Sequence, residues 1–319
     1  MRAILDVTFP FFALIAAGYI SVWREWTPVA AVRALNQFVL YVALPCMLFK
    51  FGAGLDLATL GRQPFLPVYG IAGVVLYGAI VAAGRSRHMR WKELSFVALA
   101  TVFPNTGFMG VPLVVSMIGE RAGTPAVAIV LFDMVVTTSL SVATSTLDGH
   151  DWSRAGRAFR HALAGVMSNP MLWSILAGVA FAVFHVQPGV PWRQPIWMMA
   201  DAASPVALFT IGGILARPRI EAPALAHTHA VSPFAVAKLF AHPLLMWVVV
   251  RLFSRAGWPL DTWVEHTLIL MAALPSASNV SFLAERMGGN AAWVARVILW
   301  TTVGAFASFT LWAWWLGPA

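Results

Sequence analysis

FPNTGFMGVP, Phe103 to Pro112, interrupts an apolar run of roughly 92–118 that is otherwise long enough to cross a bilayer. Pro104 has no N–H, and its ring clashes with the carbonyl four residues back, so a regular helix does not continue through it. Gly107 and Gly110 loosen the backbone further. Asn105 and Thr106 place polar groups at the centre of an apolar span, where polarity is costly. A second run, 262–288, is interrupted in the same way by LPSASN, Leu274 to Asn279. Pro104 and Pro275 both lie near the midpoints of their runs.

Working outward, the chain has 319 residues, of which 60% are hydrophobic and 11% charged. That composition excludes an ordinary soluble domain and points to a polytopic helical membrane protein. A lone cysteine, Cys46, excludes an internal disulfide and a cysteine metal cluster. The net charge of +8 does not point to nucleic acid, because the basic residues cluster between apolar runs. Arg2 precedes an apolar run that Asp6 interrupts and that further spans follow, so it reads as an uncleaved first helix. Fifteen tryptophans, Trp312, Trp314 and Trp315 among them, suggest interfacial belts.

Ten spans can be drawn, at about 3–23, 33–54, 64–84, 92–118, 123–147, 169–187, 194–216, 230–254, 262–288 and 290–316. The longest connection, 148–168, reads as an amphipathic surface helix with Arg154, Arg157 and Arg160 on its polar face. Alternate connections carry twelve and six Lys and Arg residues, and the richer set (Arg24, Arg85, Arg87, Arg90, Lys92 and others) is expected in the cytoplasm. Both termini then lie outside.

Residues 1–147 and 169–319 each hold five spans, joined by the cytoplasmic connector 148–168. Pro45 and Pro205 occupy similar places in the second span of each half. The fourth span of each half is the broken one, and the fifth carries a Thr-Thr pair, Thr137-Thr138 and Thr301-Thr302. Because five is odd, the second half enters the membrane from the opposite side. The expected fold is therefore an all-α integral membrane protein of ten transmembrane helices, a five-plus-five inverted repeat with helices four and nine broken.

A helix restarting at mid-membrane offers free N–H groups and a positive dipole end, and two such ends meeting at the midplane suit an anion such as a carboxylate. Asn105, Thr106, Gly107, Ser276, Ser278 and Asn279 are the candidate substrate-binding residues, with Pro104 and Pro275 making the breaks. The plainer alternative is that both prolines only kink their helices. Asp133, deepest in its span, would cost about 2.5–3.5 kcal/mol unpaired, so it calls for a partner or a proton-carrying role. Asp201 and Lys238 are the other coupling candidates; Lys238 could equally snorkel to the membrane edge. Lys50 and Glu265 lie near span ends, where surface pairing is the default. His227 and His229 have no partner at metal-ligand spacing, and no catalytic constellation is visible, so neither an enzyme nor a metal site is expected.

Three stretches carry a family resemblance: NQFVLYVALPCMLF (Asn36 to Phe49), PNTGFMGVPL (Pro104 to Leu113) and LPSASNVSFLAERMG (Leu274 to Gly288). They resemble the auxin efflux carrier family, which includes plant auxin exporters and bacterial carriers for malonate or malate. The resemblance implies a scaffold domain and a transport domain, each drawn from both repeats, in a fold similar to bile-acid sodium symporters and sodium/proton antiporters. It also implies elevator-type alternating access, a bacterial inner-membrane location and a homodimer. In the plant branch an Asn follows the proline of each broken helix; Asn105 matches the first, but Ser276 holds the second place and the nearest Asn is Asn279. That departure makes a small organic acid the expected substrate rather than auxin. No cofactor is expected, and a proton or sodium remains open as coupling ion. A sodium-coupled symporter and a membrane sensor that binds without transport are the competing readings.

Overall fold

A computed structural model describes residues 2–147, 160, 167, 169–186, 188–221 and 233–317. Among these residues every regular element is helical. In chain order they are α1 (Arg2–Trp23), α2 (Val29–Ala53), the short α3 (Leu57–Arg62), α4 (Phe65–Arg85), α5 (Trp91–Val102), α6 (Thr106–Ile118) and α7 (Glu120–Ser145). Then follow α8 (Pro170–Val183), α9 (Val190–Glu221), α10 (Pro233–Arg255), α11 (Thr262–Ala273), α12 (Asn279–Arg286) and α13 (Ala291–Leu316). Helices answer the apolar runs because a helix satisfies its backbone within the segment, which a bilayer demands.

Seven of these helices are long and apolar enough to span a membrane: α1, α2, α4, α7, α9, α10 and α13. The other three expected spans depart from a full-length continuous helix, two by being split and one by being short. Spans 92–118 and 262–288 are each split into two half-helices, α5 with α6 and α11 with α12. The break starts at the residue before each proline, which proline sterics push out of the helical region. Phe103 has ψ 99° and Leu274 has ψ 155°. Span six is α8, 14 residues, about 21 Å at the usual rise of ~1.5 Å per residue. Asn169 fixes its start: the side chain accepts from the Met171 N–H at 3.0 Å, with Pro170 at the first helical position. Of the 148–168 connector only Arg160, exposed, and Met167 lie within the described residues; Arg154, Arg157, His227 and His229 lie outside them.

Four turns are widened to π geometry: Val39–Ala43, Thr106–Gly110, Asp133–Thr137 and Ala237–Ala241. Three are followed, two residues on, by a proline: Pro45, Pro112 and Pro243. A proline ring collides with the carbonyl four residues back, and widening the preceding turn relieves that collision without ending the helix. The fourth has no proline; there Thr138 donates both its N–H and its hydroxyl to the Asp133 carbonyl, the latter at 3.0 Å.

The helices pack as two groups. In one, α1 lies against α9, α8 against α2, and α2 against α9. In the other, α4, α7, α10 and α13 pack around the half-helix pairs α5–α6 and α11–α12. The first group closes through backbone-to-glycine contacts. A methyl on Gly18 would lie 1.9 Å from the Phe209 carbonyl oxygen, and one on Gly212 would lie 1.9 Å from that of Ile15. At the second crossing a methyl on Gly178 would lie 2.5 Å from the Phe49 oxygen, and one on Gly52 would lie 2.9 Å from that of Ile175. Such approach is how helices associate where the hydrophobic effect is absent. A constant shift of 160 residues carries Ile15 to Ile175, Gly18 to Gly178, Phe49 to Phe209 and Gly52 to Gly212, so one crossing repeats the other residue for residue.

Candidate functional site

The two breaks meet. Pro104 and Ser276 face each other as an isolated antiparallel pair, with the Asn105 N–H donating to the Pro275 carbonyl at 2.8 Å and the Ala277 N–H to the Phe103 carbonyl at 3.0 Å. Two more N–H groups are taken locally: Thr106 donates to the Pro104 carbonyl at 2.7 Å, and Ser276 to the Thr301 hydroxyl at 3.1 Å. The crossing therefore takes up the N–H groups of the residues that lead into both half-helices. Beyond them, the N–H groups of Gly107 and Phe108 at the start of α6 make no hydrogen bond among the described residues.

Beside the crossing lies a recess of about 400 Å³, counting its open mouth. Asn105, Thr106 and Gly107 are part of its lining. Asn105 is 5% exposed, yet its side-chain amide makes no hydrogen bond among the described residues. The amide opens on the recess, where a ligand can meet it. Asn279, exposed, stands at the rim. The rest of the wall is apolar, with Leu44 and Leu48 from α2, Met171 from α8, and Val130 and Met134 from α7. The recess thus lies where the four-helix group meets the crossing. Ser204 of α9 reaches across the same boundary, its hydroxyl donating to the Phe108 carbonyl at 3.4 Å.

Ser276 and Ser278 are not among the residues that line this recess; the Ser276 hydroxyl is buried without a hydrogen-bond partner, and its N–H meets Thr301. The N–H groups of Ser278 and Asn279, at the start of α12, likewise make no hydrogen bond among the described residues, and Asn279 brings that end to the recess.

The three ionisable candidates separate. Asp133 is fully buried, accepting from the Tyr69 hydroxyl at 2.9 Å and the Thr137 hydroxyl at 3.0 Å. Lys238 is fully buried too, so it does not snorkel; it donates to the Ala272 carbonyl at 3.0 Å and contacts His242 Nδ1 at 2.8 Å. Ala272 belongs to the last turn of α11, where unsatisfied carbonyls and the negative dipole end favour a cation. The Asp133 and Lys238 charges lie within electrostatic reach of each other. Asp201 instead accepts from Lys50 at 2.6 Å in an exposed ion pair. Glu265 is paired with Arg251 at 2.7 Å. Tyr69 and His242 were not singled out by sequence reasoning, since nothing marks a tyrosine or histidine in an apolar run as the partner of a distant charge.

A multi-span helical chain with two half-helix pairs that cross, beside a recess lined by an unpartnered amide, has the architecture of a membrane transporter. Comparison with known proteins agrees: the chain belongs to the membrane transport protein family, whose profile matches residues 3–149 and 156–313. A Rhizobium meliloti (strain 1021) protein named "Putative malonate transporter" is 30% identical over 312 residues, covering 97% of this chain and 95% of its own length. An uncharacterized transporter of Methanothermobacter thermautotrophicus is 24% identical over 280 residues, covering 88% of this chain and 87% of its own. Auxin efflux carrier component 3 of Arabidopsis thaliana is a partial relative, 26% identical over 147 residues, 44% of this chain and 22% of its own length.

Proposed function

We propose that this membrane transporter is a secondary carrier for a small organic anion, a carboxylate, and that it works by elevator-type alternating access. The observation that carries the reading is Asn105: an unpartnered amide, 5% exposed, at the N-terminal end of α6, inside a recess bounded by both helix groups. A carboxylate there would accept from the Asn105 amide, the Thr106 hydroxyl and the open Gly107 and Phe108 N–H groups, with the helix dipole favouring its charge. The group α1, α2, α8 and α9 would be the scaffold; the group holding the crossing would be the transport domain that slides along it. The repeat of the glycine crossings at a shift of 160 residues supports the ten-helix inverted repeat behind this motion. The carrier would sit in a bacterial inner membrane, its termini outside by the Lys and Arg asymmetry, as a homodimer through the scaffold; cross-linking in native membranes checks the last point.

The test is uptake of radiolabelled malonate and short monocarboxylates into proteoliposomes. Asn105→Ala should abolish uptake while leaving insertion and the gel-filtration profile unchanged; wild-type uptake by that variant would remove Asn105 from the site. A second reading concerns coupling. Because Asp133 is buried, hydrogen-bonded by two hydroxyls and in reach of the Lys238 charge, we assign it a proton-carrying role. Asp133→Asn should then make uptake independent of a pH gradient, and unchanged dependence would overturn the assignment. Repeating the assay with and without sodium distinguishes sodium coupling.

A further inference from the structure

We propose that the turn between α4 and α5, together with the end of α12, forms a docking surface for the headgroup phosphate of an anionic phospholipid. The inference uses only the membrane setting of the chain, so it is independent of the carrier reading. At this end of α4, α5 and α12 five cations gather, Arg85, Arg87, Arg90, Lys92 and Arg286, with two carboxylates, Glu93 and Glu285. A methyl on Gly288 would lie 3.9 Å from the Lys92 ammonium, so the chain just beyond α12 adjoins the start of α5. The other end of the same helix group is balanced. There Arg62, Arg121, Arg251 and Arg255 stand with Asp56, Glu120, Asp261 and Glu265, and Arg251 is paired to Glu265 at 2.7 Å. The side chains of Arg87, Arg90 and Arg286 are exposed and make no ion pair or hydrogen bond among the described residues. The turn is also held in shape. The Met89 N–H donates to the Gly84 carbonyl at 3.2 Å. The Arg85 guanidinium donates to the Met89 carbonyl at 2.7 Å and lies 5.0 Å from the centre of the Trp91 ring. A surface fixed in advance loses little entropy when it is occupied. Charge complementarity and the planar guanidinium fork both suit phosphate oxygens. Trp91 and Trp293, at the starts of α5 and α13, place this end at headgroup level, where tryptophan concentrates. A lipid is therefore the occupant rather than a soluble phosphate, because headgroups are already concentrated there.

The experiment titrates phosphatidylglycerol, or phosphatidylcholine with the same acyl chains, into the full-length protein in uncharged micelles and follows the thermal unfolding midpoint. Phosphatidylglycerol should raise the midpoint saturably, phosphatidylcholine should not, and added salt should weaken the effect. R87Q/R90Q should raise the half-saturating phosphatidylglycerol content at least roughly tenfold, since each cation near a membrane surface contributes to the attraction. R62Q/R255Q removes the same charge from the opposite end and should leave half-saturation unchanged. Equal losses in the two double variants would reduce the effect to net charge and overturn the docking surface. A midpoint that responds alike to both lipids would overturn it too. An equal shift with inorganic phosphate would assign the cluster to a soluble anion and overturn the lipid as occupant. R286Q carries the test from α12 should R87Q/R90Q not fold: a loss of about fivefold is expected, and unchanged half-saturation there would overturn the surface.

Discussion

Gly18→Ala tests whether α1 and α9 meet backbone to backbone. The added methyl would lie 1.9 Å from the Phe209 carbonyl oxygen, 2.7 Å from the carbonyl carbon and 3.0 Å from Cα. None of these atoms is the end of a flexible side chain, so the helices must part by roughly 1.5 Å to bring the methyl out to about 3.5 Å. Overpacking of this kind costs about 1–3 kcal/mol, and a contact made of main chain belongs at the upper end. Gly212→Ala loads the same crossing from the other helix, at 1.9 Å from the Ile15 oxygen. Once α1 and α9 have separated for one methyl, the second enters at reduced cost, so the double variant should lose clearly less than the sum. Gly178→Ala acts on the other crossing, between α2 and α8, and its loss should add to that of Gly18→Ala. Gly73→Ala is the control: nothing lies within 4 Å of its added methyl, and helix propensity favours alanine there by about 1 kcal/mol. Equilibrium unfolding in mixed micelles, followed by circular dichroism, measures these single variants and both double variants against wild type. Full additivity of the Gly18 and Gly212 variants, or a Gly18→Ala as benign as Gly73→Ala, would refute the contact.

Thr301→Val removes the acceptor of the Ser276 N–H and should cost about 1–3 kcal/mol, most of which Thr301→Ser recovers; the unfolding midpoints of the two variants compare them. In a Cys46→Ser background, oxidised S204C/F108C ties α9 to the start of α6 across the boundary between the two groups. Uptake should stop on oxidation and return on reduction, and uninterrupted uptake by the cross-linked protein would rule out sliding of the groups. Asn169→Ala deletes the cap of α8 and should lower stability by about 1 kcal/mol without changing substrate affinity, which thermal unfolding and calorimetry together check. Glu265→Gln weakens a pair whose arginine is 45% exposed, so its effect on the same unfolding midpoint should be no more than about 1 kcal/mol.

The breaks were legible because proline sterics act locally: Pro104 and Pro275 force the interruption whatever packs around them. Asn105, Thr106 and Gly107 follow from the break, and the structure places all three on one recess. Ser276 looked equivalent, yet the crossing is not symmetric in its donors; Thr301, 25 residues away, takes the Ser276 N–H, and no local pattern announces such a bond. The apolar wall was illegible for a different reason. Leu44, Leu48 and Met171 read like any lipid-facing residues, since the bilayer and a protein interior select the same side chains. The repeat shows the same limit. Pro45 and Pro205 stand out in the sequence, but Ile15 with Ile175 and Gly18 with Gly178 are common residues in an apolar background. Their equivalence emerges only when their carbonyl and glycine partners are seen in contact.

The π turns have a rotational consequence. Successive residues of an α-helix are about 100° apart around the axis, so one extra residue in a turn swings everything beyond it by roughly that angle. Pro45, Pro112 and Pro243 therefore act as phase setters. The swing ahead of Pro45 decides that Leu44 and Leu48 look into the recess rather than toward lipid. The turn at Asp133–Thr137 aims Asp133 at Tyr69 while its neighbour Met134 faces the recess, and the turn at Ala237–Ala241 carries Lys238 inward to α11. Substituting one of these prolines frees the preceding turn to tighten, and tightening would rotate a wall or a charge out of alignment with no side chain at the site having changed.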